Sequence, residues 1–363
     1  MIVKNRRGIV MKEYYIYLGT YTNKGSKGVY GMRITEEGKL AEQLQLLAEQ
    51  PSPTYFYLSH DRRRLYAVSE PGEGERGATY VYEIDPQTKA LDLMDKRTAA
   101  GSGLCHITMD KQERYAVVSC YPDATVQVYP VDHKGKVMEM FCLRRHSGSG
   151  PVTERQESAH AHSAYFTPDG EYMVVCDLGI DELVVYRMNY ETGKLHRTFD
   201  KNVTMPAGCG PRHMVFSPDG RFAYVVCELS SELITLRYKG EEGFEIVDCI
   251  SSLSPEFHSE RSFASAIRIT NDGKDLYVSN RGEDSIAHFK VDTGTGHIEL
   301  VKSYSTRGWY PRDFILTEDE KLLIAANQLS ENMAIYKRDP QTGALELTDE
   351  QTIVNAPVAL QEI

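Results

Sequence analysis

The chain contains no run of about 18 apolar residues, so no segment reads as a membrane-spanning helix. Basic residues are in deficit. Lys and Arg number 41 against 52 Asp and Glu, a net charge of −11. That sign disfavours nucleic acid and anionic membrane surfaces, and neither is expected as a partner. No Cys-x-x-Cys pair occurs; Cys105, Cys120, Cys142, Cys176, Cys209, Cys227 and Cys249 are odd in number and scattered. They fit buried thiols of a reduced, cytoplasmic chain better than a disulfide framework. The N-terminal "MIVKNRRGIVMKEYYIYLGTYT" lacks the apolar core and small-residue cleavage site of a secretory signal. Residues 1–10 are expected to be a disordered extension, with either Met1 or Met11 as the start. A sustained 3.6-residue apolar period is also missing, which excludes helical repeats.

What is present is self-similarity. The segments "PTYFYLSHDRRRLYAVSE", "LCHITMDKQERYAVVSC", "AHSAYFTPDGEYMVVCD", "PRHMVFSPDGRFAYVVCE", "ASAIRITNDGKDLYVSN" and "PRDFILTEDEKLLIAAN" begin at 53, 104, 161, 211, 264 and 311. Their separations are 51, 57, 50, 53 and 47 residues. Each is a short alternating stretch, an acidic turn and a second apolar stretch. A third such as "SELITLRYK" and a fourth after a turn such as "DPQTGAL" complete the unit. Four short strands in about fifty residues is the pattern of a β-propeller blade. "PVALQEI", from Pro357, reads as a lone first strand. "YYIYLGTYT", "GVYGMRIT" and "LAEQLQLLAE" read as strands two to four. The expected fold is therefore all-β: one seven-bladed propeller domain over 11–363, with one blade closed by both termini and no open sheet edge.

In a propeller the first strand of each blade lines the central channel and the second runs antiparallel to it. Starts of first strands and ends of second strands thus share one face. The starts carry His106, His162, Arg212, His213, Arg312 and Asp313; the ends carry Glu70, Tyr121, Asp177, Glu228, Arg281 and Gln328. Charges of both signs converging from different blades suit either a reactive site or ion pairs that lock the blades together. The 57-residue spacing hides an insertion, "RRHSGSGPVTERQES" from Arg144 to Ser158, just before His160 and His162. A Gly/Ser/Pro-bearing loop delivered to the polar face is placed to cover a ligand.

The motifs "CGPRHMVFSPDG", "VCEL", "SNRG", "GWYPRDF", "GTYT" and "RQESAHAHS" together resemble the seven-bladed propeller lactonases. That family includes a bacterial 6-phosphogluconolactonase type and a fungal 3-carboxy-cis,cis-muconate cyclase. The likeness covers nearly the whole chain; Ala159, where it leads one to expect proline, is a departure. It implies an active-site histidine at His162, arginines at Arg212 and Arg281, and a glutamate at Glu228. It also implies carboxylic-ester hydrolysis of a small anionic sugar lactone, most naturally 6-phosphogluconolactone in the pentose phosphate pathway.

Lactone opening needs an activated water, a stabilised oxyanion and a proton for the departing ring oxygen. His162 suits proton transfer near neutrality. Glu228 is its partner or an alternative base. Arg212 and Arg281 are clamps for an oxyanion, carboxylate or phosphate. His160, His213, Arg312, Asp313, Arg155 and Gln328 are candidates for substrate binding or support, with Gln156 beside Arg155 as a further anion contact. "HAH" lacks a third ligand of matching spacing, so neither a metal nor another cofactor is expected. The rivals are another small-lactone hydrolase or lactonizing cyclase, and a non-catalytic propeller binding module. With Trp309 its only tryptophan and no repeated Trp-Asp, the chain lacks the signature of the common scaffold repeats.

Overall fold

A computed structural model describes residues 2–4, 10–72, 74–259 and 261–363. Its strands form seven antiparallel sheets. The inner strands of six of them are Pro53–Leu58, Leu104–Met109, Ala161–Phe166, Pro211–Phe216, Phe263–Ile269 and Pro311–Leu316. These begin within one residue of the repeat anchors read from the sequence. In the fourth blade, Pro211–Phe216, Phe222–Cys227, Glu232–Tyr238 and Phe244–Ser251 follow one another as a meander. The acidic turn between the first two strands is set by a short side-chain bond. Ser217 Oγ donates to Asp219 at 2.7 Å, and Thr167 and Thr270 repeat this with Asp169 and Asp272.

The seventh blade joins the two ends of the chain. Pro357–Glu362 pairs with Val10–Thr20, which pairs with Gly28–Thr35 and then Gln45–Glu49. Val358, Ala359 and Leu360 are buried there, so the last residues are structural. Ile2–Lys4 adds a short strand to the start of Val10–Thr20, where the sequence reading expects an irregular extension. Residues 1 and 5–9 of that extension lie outside the described residues.

The apolar core is not on the channel axis. It is split into seven clusters, each shared by two neighbouring blades. Between the third and fourth, for example, Val174, Cys176 and Val185 pack on Met214, Ala223 and Val225. Burying one such side chain fully contributes about 1.5–3 kcal/mol. With the blades already held by these clusters, the inner strands are free to carry polar residues toward the axis.

Candidate active site

Six of the seven inner strands have an irregularity at their second residue, and in Phe263–Ile269 it falls between Ala264 and Ile267. Ala161 pairs with Asp177 and Ser163 with Cys176, leaving His162 as an extra residue. In the same way Arg212 lies between the paired Pro211 and His213, and Arg312 between Pro311 and Asp313. Cys105 and Thr54 occupy this place in their own blades. A bulge re-aims its side chain out of the ladder, and here it places residues of successive blades around the channel mouth. Bonds from blade to blade then tie the mouth into a ring. Thr54 Oγ1 donates to Leu104 O (3.0 Å), Ser163 Oγ to Arg212 O (2.6 Å), and Ser265 Oγ to Arg312 O (2.6 Å). Facing the bulges are the residues just after the second strands. Tyr21, Glu70, Tyr121, Glu228 and Gln328 each donate a backbone N–H to the residue that precedes an inner strand.

Glu228 is the hub. Its Oε2 accepts from Arg212 Nε at 2.8 Å and forms an ion pair with Arg281 Nη2 at 2.8 Å, and its Oε1 accepts from Arg155 Nη2 at 2.5 Å. Arg212 also donates to Ser265 O (2.8 Å), and Arg281 to Phe263 O and Ala264 O (both 3.2 Å), so both guanidinium groups are fixed to backbone. Burial alone would push the Glu228 carboxyl up. Arg281, Arg212 and Arg155 outweigh burial and hold it well below the usual carboxylate range. Burial, with Arg281 next to it, lowers Arg212 to about 10. His162 is driven well below an ordinary imidazole by burial and then by Arg212, against the opposing pull of Glu228. It is therefore neutral at pH 7, and its Nδ1 is buried without a protein partner.

These groups line a cavity of about 300 Å³, together with Glu70, Cys105, Tyr121, Tyr310, Arg312 and Gln328. Four guanidinium groups face two carboxylates, an excess of positive charge inside a molecule of net −11. Such a mouth concentrates anions. Arg312 lies over the Tyr21 ring and 3.5 Å from Glu70, whose carboxylate accepts from the Tyr21 hydroxyl at 2.7 Å.

The structure thus brings His162, Glu228, Arg212, Arg281, Arg155, Arg312 and Gln328 together. Other candidates lie elsewhere. His213 is deeper in the channel, 5.1 Å from the His162 ring and accepting from Arg212 at 3.3 Å. Below it His106, at 5.8 Å, is lowered to about 3 by burial and Arg268. Asp313 pairs with Arg268 at 3.0 Å and accepts from Leu360 N, so it serves blade closure. His160 stacks on Tyr121 at 4.3 Å and bonds Tyr121 O and Glu157; Tyr121 in turn meets the His162 ring edge-on. It supports His162 through Tyr121. Gln156 is fully buried, its amide spent on Leu178 O, Asp181 and Val152 N, so it anchors the insertion. Asp177 is bonded to His146 at 2.6 Å and to His160 N.

Sequence reasoning passed over Tyr310. Its φ is +68°, uncommon for a bulky residue, and its ring lies 5.1 Å from the Arg281 guanidinium. The Tyr in "GWYPRDF" precedes a bulged arginine, which is the signal that could have marked it. Among the described residues, no group of three or more His, Cys, Asp or Glu is arranged to hold a metal ion.

Residues 15–361 match the family described as lactonase, 7-bladed β-propeller. The chain belongs to this family of propeller lactonases. It is 37% identical to the 6-phosphogluconolactonase of Bacillus subtilis over 306 residues, 84% of this chain and 85% of that one. Among solved structures, the periplasmic gluconolactonase of Pseudomonas aeruginosa superposes with a TM-score of 0.90 at 30% identity, covering 97% of this chain and 99% of that chain. A Lactobacillus plantarum protein superposes at 0.88 and 32%, covering 97% and 100%. In this lactonase the family motifs converge on the cavity: Arg212 from Pro-Arg-His, Glu228 from Val-Cys-Glu-Leu, and Arg281 from Asn-Arg-Gly. No described helix is long and apolar enough to cross a membrane.

Proposed function

We propose that the chain hydrolyses 6-phosphogluconolactone to 6-phosphogluconate, with His162 as general base. The observation that carries this reading is the neutral imidazole of His162 facing Arg212, Arg281 and Glu228 in one cavity. The Nε2 lone pair of His162 takes a proton from water, and the hydroxide adds to the lactone carbonyl. The resulting oxyanion is stabilised by N–H groups of Arg212 and Arg281, which are fixed before substrate arrives. Collapse breaks the ring C–O bond, and the imidazolium returns the proton to the departing alkoxide. Glu228 stays ionised throughout and stabilises the transient imidazolium, as its attraction to His162 supports. Arg155 and Arg312, the more exposed guanidinium groups, suit the phosphate; Gln328 is placed to hold a sugar hydroxyl. The seven unpaired cysteines, six of them buried, support a reducing, cytoplasmic setting.

The test is hydrolysis of 6-phosphogluconolactone against glucono-δ-lactone, each corrected for spontaneous opening. Acceleration with preference for the phosphorylated lactone is expected. Acceleration of only unphosphorylated lactones would reassign the substrate, and none on any lactone would favour a binding module.

A further inference from the structure

The site contains a conflict that the proposed chemistry must resolve. His162 has to accept a proton, yet Glu228, the carboxylate whose charge favours that proton, is held by three guanidinium groups. The three are not held alike. Arg212 and Arg281 each spend hydrogen bonds on backbone carbonyls, and both share Oε2 of Glu228. Arg155 alone occupies Oε1, at 2.5 Å. Its other contacts are a long bond to the Tyr121 hydroxyl (3.4 Å) and the face of Phe263 (5.6 Å). Its side chain is also 34% exposed, against 4% for each of the other two.

The loop beneath Arg155 is rigid. Its backbone N–H and that of Gln156 both donate to Val152 O, and Gln156 pins the segment to Leu178 and Asp181. Arg155 can therefore leave Glu228 by a side-chain rotation, with no opening of the loop. We propose that Arg155 is a substrate-responsive latch: an anionic substituent on the lactone draws it off Oε1 of Glu228, and its departure lets His162 take the proton. The phosphate then contributes twice. It supplies a new partner for Arg155, and it uncovers Oε1 of Glu228, whose negative charge favours a proton on the imidazole. An uncharged lactone leaves the latch closed. Discrimination between the two substrates accordingly appears in kcat, beyond any effect on KM.

This inference rests on the lactonase reading, and one pair of substrates separates the two. Wild type and Arg155→Met are compared on 6-phosphogluconolactone and glucono-δ-lactone, with kcat and KM resolved. In Arg155→Met, the kcat advantage of the phosphorylated lactone over the uncharged one is expected to shrink about threefold or more and its KM to rise, because Oε1 is uncovered with either substrate and only the phosphate's partner is lost. For the uncharged lactone kcat is expected to rise, by about threefold or more, because Oε1 is permanently uncovered. A rise in kcat cannot come from misfolding. A kcat for the uncharged lactone that stays at the wild-type value, or a parallel fall in kcat on both substrates, overturns the latch while leaving the lactonase intact. Absence of catalysis by wild type on either lactone removes the underlying reading.

Discussion

His162 and Glu228 are both ionisable and both buried in one cavity, and their neighbours divide the work between them. Glu228 holds three guanidinium groups on two oxygens and stays ionised. His162, facing Arg212, Glu228, Arg312 and His106, stays neutral well below its ordinary value of 6.5. A base must be unprotonated, so kcat/KM is expected to hold as pH falls through 6.5 and to decline only below it. In Arg212→Met, which loses a charge that opposes protonation, that acid limb should move upward. A pH–rate profile of both proteins checks this; a wild-type limb at 6.5, unmoved in the variant, contradicts it. At this scale the sequence exposed the residue types but not their depth. His162 and His213 sit on adjacent positions of equivalent strands, yet one is a bulged residue at the mouth and the other lies in the channel. Nothing in "HAHS" or "PRHM" distinguishes them, because direction at a bulge depends on pairing with the next strand.

Among the elements, blade boundaries were legible because alternation and acidic turns recur, and the inner strands start within one residue of the repeat anchors. The insertion between Cys142–Arg145 and Ala161–Phe166 was legible as extra length that brings Arg155 to the polar face. Its anchoring through Gln156 and Asp181 needed the fold, since Asp181 belongs to the turn after the next strand. Gly179, in that same turn, packs directly under the insertion. A Cβ there would lie 1.9 Å from Ser158 O and 2.7 Å from His160 N, both backbone atoms. Gly179→Ala is therefore expected to cost about 1–3 kcal/mol in urea unfolding. It should also lower kcat about tenfold, because the displaced strand start carries His162. Unchanged stability and turnover would show that the insertion does not position the histidine.

For the whole molecule, closure of the ring by both termini was readable, because Pro357–Glu362 is an inner strand with no second strand after it. The histidine file down the channel was not. His106, His162 and His213 are all buried, and burial leads the lowering of each below 6.5. In the unfolded chain they titrate near 6.5, so below that pH the unfolded state binds more protons. Their stabilisation is full above 6.5 and is lost as pH falls, by about 1.4 kcal/mol per pH unit for each histidine. Unfolding free energies measured downward from pH 6.5 should show this slope, and His106→Asn should flatten it. A slope unaffected by the substitution would place the proton uptake elsewhere. The ring exists, on this account, to bring one imidazole and fixed guanidinium groups from separate blades onto a single lactone. The most direct measurement is kcat for 6-phosphogluconolactone in His162→Asn and Arg212→Met, with thermal unfolding followed in parallel. A loss of about a hundredfold or more in each variant, with Tm within a few degrees of wild type, is the predicted result. Turnover near that of wild type in both would contradict it.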